Sequence, residues 1–296
     1  MGNILTKQFY RQRKDFEDSC AGRDSVLTFP EGVRCSTDIA YADDGIKAHM
    51  LDIYRPEDSQ EKILPVIINV HGGGLIIGNK EFNRYFCALL CKKGFLVYSI
   101  EYRLIPDCLI YDQIADVFMA MDYIKERLAA DGGDSSHVYM AGDSGGACLI
   151  TYANAIQNST NIARAANVTP SGLRINALGL ISGMFYTSRF DKIGLFLPKY
   201  LYGRDYKKTS FAKYVNPENR ELLNSLAPVW LVTSHNDFLR RYTTDFEKAL
   251  TRAEREHELV VFPKNKKLTH AFSVFEPFLP ESSAVIDMMV EYFRKF

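Results

Sequence analysis

The chain has 296 residues, 47% of them hydrophobic, enough for a sizeable core in one large α/β domain or two small ones and well outside the disordered range. Its 36 basic and 36 acidic side chains cancel at pH 7, which argues against a nucleic-acid or polyanion partner. No window reaches the ~18 uninterrupted apolar residues that a membrane span needs.

The stretch from Met1 to Asp18 is dense in charge, unlike a secretory signal. Met1-Gly2-Asn3-Ile4-Leu5-Thr6 fits the short myristoylation pattern, which matters only in a eukaryotic host. The expectation is a cytoplasmic protein with no stable membrane anchor. Six cysteines (Cys20, Cys35, Cys87, Cys91, Cys108, Cys148) form no CxxC pair. Cys87 and Cys91 stand one helical turn apart, as a metal pair could, but the apolar surroundings favour reduced core thiols.

In chain order, residues 4–18 read as a surface helix with the apolar stripe Ile4, Leu5, Phe9 and Phe16. Strands are expected at Cys35 to Ala42 and Ile46 to Tyr54, joined by the hairpin signal Asp43-Asp44-Gly45. Leu64 to Val70 is an unbroken apolar run, the pattern of a strand covered on both faces. A helix around Asn83 to Lys93, the strand Phe95 to Ile100, a helix around Tyr111 to Ala129 and the strand His137 to Ala141 follow. Then come a helix over 145–157 and the strand Ile175 to Ser182. Alternation breaks between Gly183 and Leu226, a stretch rich in Phe, Tyr and Lys, as expected of a lid or cap. It resumes with the strand Pro228 to Thr233, a helix around Tyr242 to Arg255, the strand Glu258 to Phe262 and a last helix from about Pro280. The fold class is therefore α/β, with a mostly parallel twisted sheet flanked by helices.

The chemistry concentrates at Gly142-Asp143-Ser144-Gly145-Gly146, a G-x-S-x-G between a strand and a helix. A serine hydroxyl is a weak nucleophile, and such a tight corner holds it out of the core. The amide of Gly145, at the first helical turn, is left free for an oxyanion. Gly-Asp-Ser-Gly-Gly also surrounds the serine of chymotrypsin-like proteases, but in those all-β domains histidine and aspartate precede the serine.

A serine nucleophile needs a base and an orienting acid, which in doubly wound hydrolases follow it as Asp or Glu, then His. His270 lies in the loop after the last strand, at the strands' C-terminal edge. His257 falls in a charged helix end, where a solvated imidazole is expected, and His235 precedes the acid candidates. Asp237 follows a strand by a few residues, whereas Asp245 and Glu247 lie within the next helix. Ser144, Asp237 and His270 are thus the candidate triad. His71-Gly72-Gly73-Gly74 follows a buried strand upstream and matches the HGGG type of oxyanion loop. A phosphate loop is the competing reading, but there is no G-x-x-x-x-G-K-[ST] and no GxGxxG opening a helix.

With Asp52-Ile53-Tyr54, Tyr102-Arg103-Leu104-Ile105-Pro106-Asp107, Asp237-Phe238-Leu239-Arg240 and His270-Ala271-Phe272 added in order, the chain resembles the hormone-sensitive-lipase-like α/β-hydrolase carboxylesterases. The resemblance implies a single α/β-hydrolase domain over 1–296, with a helical cap from about 1–32 and 183–214. It implies a triad of Ser144, Asp237 and His270, and oxyanion amides from Gly73, Gly74 and Gly145. Tyr102-Arg103 is expected to brace the structure beside the elbow. Gly145 stands where relatives often carry Ala, which should loosen the turn slightly, and Ile105 where Ala is common.

The expected reaction is ester hydrolysis through an acyl-enzyme, on small short-acyl esters, with no metal or organic cofactor. Phe185, Tyr186, Phe190, Phe196, Tyr200 and Tyr202 either narrow the pocket or form the core of the cap. The expected partners are a small-molecule ester and, at most, a second copy of the chain in a homodimer. Alternatives are a related serine hydrolase on another bond (an arylformamidase or a carbohydrate deacetylase) or a non-catalytic ligand-binding protein on the same fold. The last, as in plant gibberellin receptors, should lack the base.

Overall fold

Val66-Ile67-Ile68-Asn69-Val70 alternates between two cores. Val66, Ile68 and Val70 enter one apolar cluster and Ile67 the other, so the strand is covered on both faces. The computed structural model describes residues 2–59 and 62–296. Met1 of the acylation pattern and Gln60 and Glu61 of a charged loop lie outside them.

In chain order the elements are α1 (Gly2–Asp24), β1 (Val33–Ala40), β2 (Met50–Pro56), β3 (Leu64–Val70), α2 (Arg84–Lys92), β4 (Leu96–Ile100), α3 (Ile110–Arg127) and β5 (Gly133–Asp143). Next are α4 (Gly145–Asn158), α5 (Thr160–Ala166), β6 (Ala177–Ile181), α6 (Lys192–Phe196), α7 (Pro198–Leu201) and α8 (Arg220–Asn224). The chain closes with β7 (Val229–Ser234), α9 (Arg240–Arg252), β8 (His257–Phe262), α10 (Phe272–Phe275) and α11 (Pro280–Phe293). The eight strands form one sheet in the order β1-β2-β4-β3-β5-β6-β7-β8, with β2 antiparallel to both neighbours and the rest parallel. Helices α3, α4 and α9 pack on one face, and α2 and α11 on the other.

Three expectations need correction. The tight hairpin at Asp43-Asp44-Gly45 is a longer loop, and β2 starts at Met50 rather than Ile46. Asp44 holds that loop folded, accepting from the Ile46 amide at 3.0 Å and from His49 Nδ1 at 2.7 Å. His257 opens β8 instead of ending a helix, and its Nδ1 donates to Arg255 O at 2.7 Å. The 183–226 excursion contains no strand, as expected, but α5 and α10 were not foreseen. Both are at most 7 residues long, too short to show a helical period.

Topology positions the site. Strands β3 and β5 are neighbours, with Val70 opposite Gly142, so the loop after β3 lies beside the turn after β5. Strands β7 and β8 lie beyond β6, and their C-terminal loops approach from the other side.

Candidate active site

Ser144 occupies a left-handed corner, φ 49° and ψ −112°, between β5 and α4. Such backbone costs roughly 1–3 kcal/mol and persists only where its surroundings hold it. Here β6 holds it: the Ser144 amide donates to Ile181 O at 2.8 Å and the Met184 amide donates to Ser144 O at 2.9 Å.

Ser144 Oγ stands 2.9 Å from His270 Nε2, and His270 Nδ1 stands 2.7 Å from Asp237 Oδ1. The three predicted residues therefore meet, although 126 positions separate serine from histidine. Asp237 also accepts from the Thr233 hydroxyl at 2.8 Å and the Leu239 amide at 2.8 Å. Burial alone would raise its carboxyl, but the hydrogen bond and charge of His270, with the Leu239 amide, hold it below the usual range. The rejected candidates have other partners. His235 pairs with Arg240 at 2.7 Å, Asp245 with Arg189 at 2.8 Å, and Glu247 with His257 at 3.5 Å.

The glycine loop faces the serine. Gly73 has φ +102°, and a Cβ there would lie 1.9 Å from Ile77 O, so only glycine fits. The amides of Gly73 and Gly74 have no acceptor among the described residues, and Gly145 opens α4, where a helix leaves its first N–H groups unpaired. His71 anchors the loop. Fully buried, it donates from Nε2 to Glu101 at 2.8 Å and from Nδ1 to Gly72 O at 2.8 Å. Burial would lower its pKa, but Glu101 outweighs that and raises it. The expected brace Tyr102 stacks on His71 with centroids 4.3 Å apart and donates to His71 O at 2.8 Å, so it supports the glycine loop beside the elbow.

Sequence alone did not reveal a further support. Asp143, fully buried, accepts from the Gly72 amide at 3.0 Å and from Asn83 Nδ2 at 2.9 Å. Asn83 precedes α2 and carries no local motif; only the fold brings it here.

A cavity of about 450 Å³ opens over Ser144 and His270. Its wall is almost wholly apolar. Of the two fates open to the aromatics of the excursion, Phe185, Tyr186 and Tyr202 take the core one, with Tyr200 packed against it, while Phe190 and Phe196 are exposed. The rings that line the cavity are Phe16, Phe82, Phe238 and Phe275, with Ile76, Met184, Ile193 and Leu197 among the aliphatic remainder. A cleft of about 500 Å³ at the opposite strand edge is lined by Arg34, Arg55 and Arg127 and contains no histidine. Among the described residues no group of three or more His, Cys, Asp or Glu could hold a metal, and no helix is long and apolar enough to cross a membrane.

A family model for the alpha/beta hydrolase fold matches residues 67–273. The chain belongs to this family. The hormone-sensitive-lipase-like character of its motifs agrees with that match. The isoprenylcysteine alpha-carbonyl methylesterase of Arabidopsis thaliana is 28% identical over 155 residues, 52% of this chain and 35% of that protein. The esterase LipQ of Mycobacterium tuberculosis is 32% identical over 120 residues, 40% of this chain and 28% of that protein. The chain spans less than half the length of the curated relatives it matches. Esterase B of Lactobacillus rhamnosis superposes with a TM-score of 0.92 over 99% of this chain and 95% of its own, at 22% identity, a likeness of fold.

Proposed function

We propose that the protein is a serine carboxylesterase acting through an acyl-enzyme on neutral, short-acyl esters. The observation that carries this reading is the unbroken Ser144–His270–Asp237 hydrogen-bond line beside three free backbone amides. In it, Ser144 Oγ attacks the ester carbonyl carbon while its proton passes to His270 Nε2. The carbonyl oxygen, now anionic, takes hydrogen bonds from the amides of Gly73, Gly74 and Gly145. His270 then protonates the departing alcohol oxygen and an acyl-Ser144 remains. Water, deprotonated by His270, releases the acid. Asp237 fixes the imidazole tautomer and stabilises the imidazolium.

The wall chemistry supports neutral substrates, since among the described side chains no lysine or arginine lines the cavity to receive a free carboxylate. The esterase names carried by the relatives support the same reaction class. Helix α1 and the 183–214 excursion act as the cap. Phe9 packs on Tyr200 with centroids 5.2 Å apart, and Phe16, Ile193 and Leu197 share the cavity wall.

The test is hydrolysis of p-nitrophenyl esters from acetate to decanoate by wild type and Ser144→Ala. The expected result is strong activity on acetate and butyrate, falling by about 10⁶ in kcat without the nucleophile. A wild type inert at every chain length, or a Ser144→Ala variant of equal activity, overturns it.

A further inference from the structure

We propose that the leaving-group side of the cavity is an aromatic subsite, so that the preferred substrates are short-acyl esters of benzylic or other ring-bearing alcohols. This rests on the esterase reading, because it uses the side on which the alcohol departs.

The departing oxygen must reach His270 Nε2 to take its proton, so the alcohol half lies on the His270 side of Ser144. That side is built of rings. Phe238 stands against the imidazole with centroids 4.4 Å apart. Phe275 lies on α10, which begins two residues after His270. Phe275 meets Phe82 at 4.7 Å, edge to face, and Phe82 meets Phe16 at 4.8 Å. These separations are the ones at which aromatic pairs attract through their quadrupoles. The Arg23 guanidinium lies 4.1 Å from the centroid of Phe82 and holds that ring in place.

The outer rings lack cover. Phe238 is 74% exposed and Phe275 is 38% exposed, although both line the cavity. An arriving ring would bury that surface and add edge-to-face contacts that a saturated ring cannot make. By contrast Met184, which also lines the cavity, is itself buried.

Benzyl acetate and cyclohexylmethyl acetate decide the matter. They have the same carbon count and both release a primary alcohol; benzyl alcohol is the slightly better leaving group, an effect that falls on kcat, so the subsite is read in KM. The saturated ester is the more apolar, so a merely greasy pocket prefers it. The expected result is a kcat/KM about fivefold higher for benzyl acetate, carried in KM. In Phe275→Leu and Phe82→Leu that ratio falls to about one or below. Calorimetric binding of the two esters to Ser144→Ala gives the same order. A wild-type ratio at or below one, with both esters hydrolysed, overturns the subsite. If neither ester is hydrolysed, the esterase reading falls, and the binding order in Ser144→Ala alone decides whether the ring site stands.

Discussion

A single absent methyl group sets how closely the oxyanion loop approaches the elbow. A Cβ on Gly145 would lie 2.8 Å from Leu75 N and 3.0 Å from Gly74 N, closer than real side chains sit. The sequence suggested that glycine here merely loosens a turn; the structure gives it a packing reason. In Gly145→Ala the 74–75 backbone must retreat, which carries the proposed oxyanion donor Gly74 away from the one at residue 145. Losing one such donor outright typically costs 10²–10³ in kcat, so a displacement should cost about 10- to 100-fold, with KM little changed. Steady-state kinetics on p-nitrophenyl acetate check this, and an unchanged kcat would show that the loop yields freely. The residues legible in the sequence were those that follow a strand at one edge: Ser144, Asp237 and His270. Asn83, Glu101 and Thr233 were not, because only three-dimensional proximity gives a common side chain its partner. The aromatics of the 183–214 stretch could not be divided between pocket and core for the same reason, since an aromatic residue outside a periodic element has no pattern that says which way it faces.

Among the elements, α1 docks its 23 residues through one side. Phe9 and Cys20 are buried, and Arg13 and Phe16 are partly so, at helical spacing along one side. Arg13 does the most. Its guanidinium donates to Ile76 O at 2.8 Å, to Ile105 O at 2.6 Å and to Asp107 at 2.7 Å, tying the helix to the end of the oxyanion loop. A surface ion pair alone would add little, but two of these acceptors are main-chain carbonyls with few substitutes. Arg13→Ala should therefore free α1 before the hydrolase core unfolds, with KM rising about threefold or more as Phe16 leaves the cavity wall. Limited proteolysis within residues 2–24 at unchanged Tm, alongside the KM, checks it; a protected helix with unaltered KM would show that Phe9 and Phe16 suffice. Elements were legible in proportion to their burial. The doubly covered strands β3 to β7 announced themselves as apolar runs, whereas α5, α10 and the 41–49 loop depend on caps and side-chain bonds such as Asp44–His49. Those interactions carry no period.

At the scale of the whole molecule, two buried carboxylates of the site push stability in opposite directions with pH. Burial raises the Asp143 carboxyl above its ordinary value, with the Asn83, His71 and Gly72 contacts only partly compensating. Between the unfolded pKa near ~3.9 and the higher folded value, the native state binds more protons than the unfolded chain, so stability falls as pH rises through that window. Asp237 is held low, chiefly against burial by His270, so its contribution is present above ~3.9 and is lost as pH falls through its folded value. Asparagine titrates at neither position. The Tm of Asp143→Asn minus that of wild type should therefore become more positive from pH 4 to pH 8. The same difference for Asp237→Asn should become more negative from pH 2 to pH 6. Differential scanning fluorimetry across pH gives both slopes in one experiment, and two slopes of the same sign would show that Asp143 does not carry the burial penalty its surroundings imply. The buried charge at Asp143 is then a stability cost retained because it accepts from Gly72 and so helps hold the glycine loop against the elbow, at the point where β3 and β5 run side by side.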